Sequence, residues 1–218
     1  MSKLLEEPMS ITSTPEDIRA EIAPTIFDGF PRVALPPLIS FSDEDFLELC
    51  RLNQDLQFEQ SANGEIIIMP PTGGITGNRN LRLIGQVYVW IEQSKNGIGF
   101  DSSTLFRLPN GAIRSPDVAW ISTDRWQQLT ADEREGIVPL CPDFVIELRS
   151  PTDSLKQLQA KMREYIANGA QLGLLIDAKA KQVHVYRPQQ AVATLDNPPE
   201  VSCEPLLSSF TLNLSAIW

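Results

Sequence analysis

The chain has few of the side chains that bind transition metals, and it has no long apolar run. Its 218 residues include one histidine and three cysteines, Cys50, Cys141 and Cys203, which are far apart in the sequence. This composition argues against a histidine–cysteine zinc site and predicts reduced thiols. No stretch approaches the roughly 20 apolar residues that cross a bilayer, and the first residues lack the apolar segment of a secretory signal. The expected location is cytoplasmic, without a membrane-spanning segment.

The acidic residues are concentrated at the two ends of the chain. The formal net charge is −10, with thirteen acidic and four basic residues in 1–70, and three acidic and no basic residues in 191–218. Residues 71–190 hold fourteen basic and twelve acidic side chains. This slightly basic middle can face phosphate once a metal ion neutralises its acids, whereas tight, sequence-independent coating of DNA is not expected.

Proline content and apolar periodicity divide the chain into three parts. Residues 1–40 contain six prolines and little periodicity, and are predicted to form an extended N-terminal arm. Residues 41–190 alternate between helical and strand patterns and are predicted to form one α/β domain. Residues 191–218 are predicted to be a C-terminal tail packed on that core.

The central segment predicts a mixed β-sheet flanked by helices. Asn63-Gly64 predicts a tight hairpin between strands at 56–60 and 65–69. Further helices and strands are predicted from the apolar spacing. One helix is predicted to begin near position 42, and two others cover 78–95 and 154–168. The predicted strands cover 99–108, 113–121, 143–149, 172–177 and 182–187. The helix over 78–95 places Leu81, Ile84, Tyr88 and Ile91 on one face. The helix over 154–168 is long enough to connect two parallel strands.

Two acidic residues interrupt apolar strand patterns. Asp117 follows Pro116 and precedes Val-Ala-Trp-Ile, and Glu147 lies within the run Phe-Val-Ile-Glu-Leu. A buried carboxylate is costly unless a partner compensates its charge. Either each acid pairs with an arginine at a strand end, or the two acids together hold a divalent metal ion. Their joint occurrence, with Arg149 two positions after Glu147, favours the metal site.

This arrangement resembles the PD-(D/E)XK nuclease superfamily, in which an acid after a proline is followed by a second acid and a basic residue. The run Ile-Glu-Leu-Arg-Ser-Pro-Thr-Asp at 146–153, and Lys161 four residues before Tyr165, are more specific. They resemble a bacterial family of restriction endonuclease domains that was long classed as a domain of unknown function. The resemblance covers roughly residues 40–190. It implies a restriction-endonuclease-like core and magnesium-assisted hydrolysis of DNA phosphodiester bonds.

The resemblance also implies roles for individual residues. Asp117 and Glu147 would be catalytic metal ligands, the backbone carbonyl of Leu148 would add an oxygen, and Glu59 would be a third acid in the metal shell. Oxygen ligands suit Mg²⁺, for which Mn²⁺ is a candidate substitute. A metal ion held there would activate a water molecule and neutralise charge on the phosphate. The alternative for Glu59 is a surface position on the hairpin.

The chain departs from the family pattern at Arg149, where a lysine is expected. Arg149 is predicted to be a catalytic residue that orients phosphate or water, because an arginine does not act as a base near neutral pH. Lys161 on the following helix is predicted to supply the missing amine as a catalytic residue. Its alternative is a solvated lysine beside the apolar face of that helix.

DNA is the expected partner. A homodimer is predicted because cutting both strands generally calls for two sites. Residues 73–77 lack the lysine and spacing of a Walker loop, so no nucleotide cofactor is expected. The main alternative is a catalytically inert module of the same fold that binds nucleic acid or protein. A third hypothesis is a hydrolase acting on a different phosphodiester.

Overall fold

The computed structural model describes residues 25–27, 30–33 and 41–218. Except for two short strands, the arm predicted over residues 1–40 lies outside the described residues. In the described part of the chain, no helix has the length and apolar content to cross a membrane. Cys50, Cys141 and Cys203 are free thiols, as the composition predicts.

Nineteen elements are defined in the described residues. In chain order they are β1 (Thr25–Phe27), β2 (Phe30–Val33), α1 (Asp43–Leu52), β3 (Gln57–Gln60), β4 (Ile66–Met69), α2 (Gly74–Ser94), β5 (Gly97–Asp101), β6 (Phe106–Arg107), β7 (Ile113–Arg114), β8 (Val118–Ser122), α3 (Thr123–Gln127), α4 (Ala131–Glu135), β9 (Phe144–Leu148), α5 (Leu155–Ala167), β10 (Leu172–Asp177), β11 (Gln182–Tyr186), β12 (Ala193–Asp196), β13 (Glu200–Ser202) and β14 (Thr211–Asn213).

The strands form two six-stranded sheets and a two-stranded ribbon, β13–β14. The first sheet has the order β1-β2-β4-β3-β7-β6, and the second has the order β12-β11-β10-β9-β8-β5. In the second sheet β9 and β10 are parallel, while their outer neighbours β8 and β11 are antiparallel to them. Helix α5 connects β9 to β10, which is the parallel crossover expected from the sequence. The predicted α/β class with a mixed sheet is therefore present.

Helices cover both faces of the second sheet. Alternate residues of its strands point to opposite sides and form two separate cores. On one face, Trp120 and Ile146 pack with Leu83 and Val87 of α2 and with the C-terminal segment. On the other face, Val145 packs with α5 in a separate core. The C-terminal segment contributes several buried side chains to the first of these cores, namely Val201, Cys203, Leu207, Phe210, Leu212, Leu214 and Ile217.

The strand predicted over residues 113–121 is wrong as a single element. The chain ends β7 at Arg114, passes through Ser115 and Pro116, and begins β8 at Val118. Proline has no N–H to donate to a strand ladder, so pairing stops there. Because β7 belongs to the first sheet and β8 to the second, this short segment joins the two sheets.

Two other predicted boundaries also change. The strand predicted over 99–108 is divided by a turn into β5 and β6. Helix α2 begins at Gly74, four residues earlier than predicted. Ile91 of the predicted face is buried and Ile84 packs against the core, but Leu83 and Val87 are buried as well. Leu81 and Tyr88 are 67% and 61% exposed. Both sets of residues have helical spacing, and contact with the sheet decides which of them is buried.

Candidate active site

Asp117, the residue before β8, lies next to Glu147 of the neighbouring strand β9 in the second sheet. The antiparallel register pairs Val118 with Ile146, and one further step places Asp117 opposite Glu147. Side chains directly opposite each other project from the same face of a sheet. This face is the one against which α5 packs, since Val145, two residues before Glu147, shares a core with that helix. The structure therefore brings the two predicted acids together.

The carboxylate of Asp117 is held by hydrogen bonds from both sides. The backbone N–H of Leu148 donates to Oδ2 at 2.7 Å, and the Nδ2 atom of Asn80 in α2 donates to Oδ1 at 2.8 Å. Burial raises the pKa of Asp117, and this effect outweighs the hydrogen bond from Leu148 and the positive charge of Lys161. Two donors thus fix the orientation of a carboxylate that lines a cavity.

Glu147 is 4% exposed and receives two hydrogen bonds from α5. Its Oε1 atom lies 2.8 Å from Nζ of Lys161 and accepts a hydrogen bond from the hydroxyl of Tyr165 at 3.0 Å. Burial raises the pKa of Glu147 to about 8, against the opposing charge of Lys161 and with a further contribution from Asp117. Because its pKa is raised, protons compete with a bound cation for this carboxylate.

Lys161 is at the centre of the cluster. Only 9% of its side chain is exposed, and its Nζ atom lies 2.7 Å from Oε1 of Glu59 as well as 2.8 Å from Glu147. Burial alone would lower the pKa of Lys161, but the charges of Glu147 and Glu59 raise it above the ordinary lysine value. The ammonium group is therefore charged at neutral pH. The alternative of a solvated lysine does not agree with this position.

Glu59, on β3 of the first sheet, is 2% exposed and is surrounded by donors. Besides Lys161, its Oε1 accepts from the N–H of Ser115 at 2.9 Å, and its Oε2 accepts from Arg114 at 3.0 Å. Arg114 also donates to Glu164 of α5 at 2.6 Å. Burial opposes ionisation of Glu59, but Lys161 and Arg114 lower its pKa below the usual range. Both of its oxygens are thus engaged by protein groups, and its position is buried rather than on the hairpin surface.

Arg149 lies elsewhere. Its guanidinium group contacts Oδ2 of Asp177 at 2.6 Å and donates to the backbone carbonyl of Asp153 at 3.2 Å. Arg149 is absent from the residues that line the site cavity, whereas Leu148 and Ser150 on either side of it are present. The geometry gives no support to the catalytic role predicted for Arg149. Its side chain is bound to Asp177 at the end of β10.

The site opens into a cavity of about 810 Å³ between the two sheets. Among the described residues, its charged lining consists of five acidic and three basic side chains, namely Glu59, Asp117, Glu147, Asp153, Glu164, Arg32, Arg114 and Lys161. Gly73, Gly74 and Thr76 at the start of α2 also line it. An excess of negative charge in a concave, partly buried site favours a cation.

The donor set around Asp117 and Glu147 fits a hard divalent ion with few protein ligands. Within the described ranges, no group of three or more His, Cys, Asp or Glu side chains is placed to hold a metal ion. Magnesium is commonly bound by one or two carboxylates and keeps several water ligands. Asp117 and Glu147 meet that requirement, and the carbonyl of Leu148 is a candidate third oxygen. The geometry gives no support to Glu59 as a metal ligand, because Lys161, Arg114 and Ser115 hold its carboxylate.

Three polar residues of this cluster were not predicted from the sequence. Glu164 lies three residues after Lys161, so it shares a helical face with it, and this spacing could have identified it. Arg114 lies three residues before Asp117 in the segment that joins the sheets. Asn80 has no such signal, since nothing in the sequence indicates that the start of α2 reaches β8.

Comparisons with known proteins bear on the family and the fold. The family model described as "Uma2: Putative restriction endonuclease" matches residues 43–215. A crystal structure described as a "putative nuclease belonging to DUF820" from Anabaena variabilis has a TM-score of 0.66 to this chain at 21% identity, covering 82% of this chain and 97% of that chain. A search of curated proteins finds no match. The similarity to the solved structure shows the fold, which confirms the predicted fold class, and the family model confirms the predicted family.

The ion pairs of Arg114 predict a large loss of stability on removing its charge. Arg114→Leu removes one of the two cations that contact Glu59, and it removes the ion pair of Glu164 with Arg114. The side chain of Arg114 is 11% exposed, so both ion pairs are largely buried. Breaking such a buried pair costs about 3–5 kcal/mol. Urea unfolding followed by circular dichroism measures the change.

Arg32→Leu is the matched control. Arg32 pairs with Glu65 at 3.3 Å, and the two side chains are 30% and 36% exposed, so the expected loss is below about 1 kcal/mol. Equal losses in the two variants would contradict a stabilising role for the buried cluster.

Proposed function

The chain belongs to the Uma2 family, and on that premise we propose that it is a magnesium-dependent endonuclease that hydrolyses DNA phosphodiester bonds. The family match supports a nuclease-like function. The observation that carries the finer proposal is the position of Asp117 and Glu147, which lie side by side on one sheet face, line the cavity, and have a buried lysine next to them.

In this proposal Asp117 and Glu147 hold the metal ion, with the backbone carbonyl of Leu148 as a further oxygen ligand. The bound ion would lower the pKa of a water molecule and neutralise charge on the scissile phosphate. Hydrogen bonds from Leu148 and Asn80 keep the Asp117 carboxylate in place before the metal arrives. This preorganisation reduces the reorganisation needed when charge develops on the phosphate.

Lys161 acts in this proposal as a charged donor rather than as a base. Its pKa is raised above the ordinary lysine value by Glu147 and Glu59, despite burial, so its ammonium group keeps its proton at neutral pH. From its position beside Glu147 it would stabilise negative charge on a phosphate oxygen and orient the attacking water. Arg149 is not needed for this step, because its guanidinium group is bound to Asp177.

The inert-module hypothesis is the alternative in a different class. It is favoured by the raised pKa of Glu147, which weakens this carboxylate as a metal ligand, and by the departure at Arg149. The two hypotheses differ in metal binding, since an inert module has no need of an ion between Asp117 and Glu147.

Isosteric replacement of the acids tests the metal site. Asp117→Asn and Glu147→Gln remove one ligand charge each while keeping the side-chain size, and we expect each to weaken Mn²⁺ binding by about 100-fold or more. Isothermal titration calorimetry measures the dissociation constants. Asp177→Asn is the control, because Asp177 is bound by Arg149 outside the cavity and its replacement should leave Mn²⁺ affinity unchanged.

The same titrations at pH 6.5, 7.5 and 8.5 should show affinity rising with pH. The metal requires the deprotonated form of Glu147, whose pKa of about 8 means that a proton competes with the ion below that value. Affinity should increase by up to about tenfold per pH unit below pH 8 and level off above it. Affinity that is flat or falls over this range would exclude Glu147 as the titrating ligand.

Comparison of two basic residues tests the assignment of the catalytic cation. Lys161→Gln removes the charge next to Glu147 and should lower the cleavage rate by about 100-fold or more. Arg149→Gln should leave the rate within about threefold, because its guanidinium group does not line the cavity. Cleavage of a labelled oligonucleotide in Mn²⁺ is the assay, with circular dichroism to verify folding. The reverse pattern would restore Arg149 to the site.

A homodimer is part of the proposal, because two sites are needed to cut both strands of a duplex. Its support is the exposure of Leu81 and Tyr88, which lie two helical turns apart on α2. Leu81→Glu with Tyr88→Glu should convert a dimer into a monomer in sedimentation velocity at micromolar concentration. A wild type that sediments as a monomer would remove the dimer from the proposal and leave the metal site untouched.

A further inference from the structure

Asn80 makes only half of the contacts that its amide group can make. The side chain is half-buried on α2, and its Nδ2 atom donates to Oδ1 of Asp117 at 2.8 Å. Its Oδ1 atom is buried, and no donor among the described residues reaches it. A buried carbonyl oxygen without a donor is costly, and native proteins usually satisfy such atoms with an ordered water molecule or an ion.

The orientation of the amide follows from its neighbour. The NH₂ group faces the carboxylate, since the opposite orientation would place two oxygens against each other. The carbonyl oxygen then points away from Asp117. Asn80 does not line the site cavity but lines a second cavity of about 480 Å³, and the two cavities share Pro70, Pro71 and Thr72. The amide therefore lies between Asp117, which lines the site cavity, and the second cavity.

We propose that Asn80 is a positioning residue of the metal site. Its Nδ2 atom fixes the Asp117 carboxylate, and its Oδ1 atom accepts a hydrogen bond from a water molecule that hydrates the metal ion. Magnesium and manganese keep several water ligands, each of which needs an acceptor. Residues that hold ligands from outside the coordination sphere strongly affect metal affinity. This inference rests on the proposed function, because it requires a metal ion at Asp117.

The chain offers a closely matched control on the same helix. Asn78 lies two residues before Asn80, but its Oδ1 accepts a hydrogen bond from Nε of Arg82 at 2.9 Å in an exposed position. It does not line either cavity. Replacing Asn78 therefore makes the same chemical change on the same helix without touching Asp117.

The experiment compares Mn²⁺ binding by the wild type, Asn80→Ala, Asn80→Ser and Asn78→Ala. Isothermal titration calorimetry gives the dissociation constants, and thermal melts with and without Mn²⁺ give the stabilisation produced by the ion. We expect Asn80→Ala to weaken binding by about 10–100-fold and to reduce the metal-induced rise in Tm. Asn80→Ser keeps a small polar group, so it should recover part of the affinity. Asn78→Ala should match the wild type within about twofold.

The outcomes separate this role from a structural one and from failure of the proposed function. If Asn80→Ala melts at a lower temperature without metal but keeps wild-type Mn²⁺ affinity, Asn80 is structural and the inference is overturned. If Asn80→Ala does not fold, the affinity of Asn80→Ser decides, and wild-type affinity in that variant overturns the inference. A wild type that binds no Mn²⁺ overturns both the metal site and the role of Asn80.

Discussion

The buried ammonium group of Lys161 is the contact on which the site depends. It joins Glu59 of the first sheet to Glu147 of the second, at 2.7 and 2.8 Å, from helix α5, which packs on the second sheet. Three charges in so small a volume are tolerated only because they compensate one another and because further donors complete the set. Arg114, the N–H of Ser115 and the hydroxyl of Tyr165 are those donors. One lysine thus links a strand of the first sheet to a strand of the second.

This arrangement divides the three acids into two roles. Glu59 is saturated by cations and serves the structure, whereas Glu147 shares its lysine and has a raised pKa. Asp117 is held by neutral donors, Leu148 and Asn80, rather than by an ion pair. Asp117 and Glu147, whose negative charges are not fully compensated by cations, are therefore adjacent, and they line the cavity. The proposed metal site follows from this imbalance of charge, and the buried cluster around Glu59 keeps its geometry fixed.

Much of this site could be predicted from the sequence, because acids inside apolar strands are rare and costly. The interruptions at Asp117 and Glu147 identified the pair, and the spacing of α5 placed Lys161 beside the apolar face. The partner of Arg149 could not be predicted, since Asp177 is distant in sequence and becomes adjacent only through the pairing of β9 with β10. Asn80 depends on the contact between α2 and β8, and the division of the strand at Pro116 depends on which sheet each half joins. Long-range packing decided these points, and local patterns carry little information about it.

The most direct test is a crystal structure of the protein soaked in Mn²⁺, with diffraction data collected at the manganese absorption edge. We expect an anomalous peak bound by the carboxylates of Asp117 and Glu147, with Lys161 still in contact with Glu59. A peak that contacts neither carboxylate, or no peak at a concentration of Mn²⁺ that supports cleavage, would contradict it.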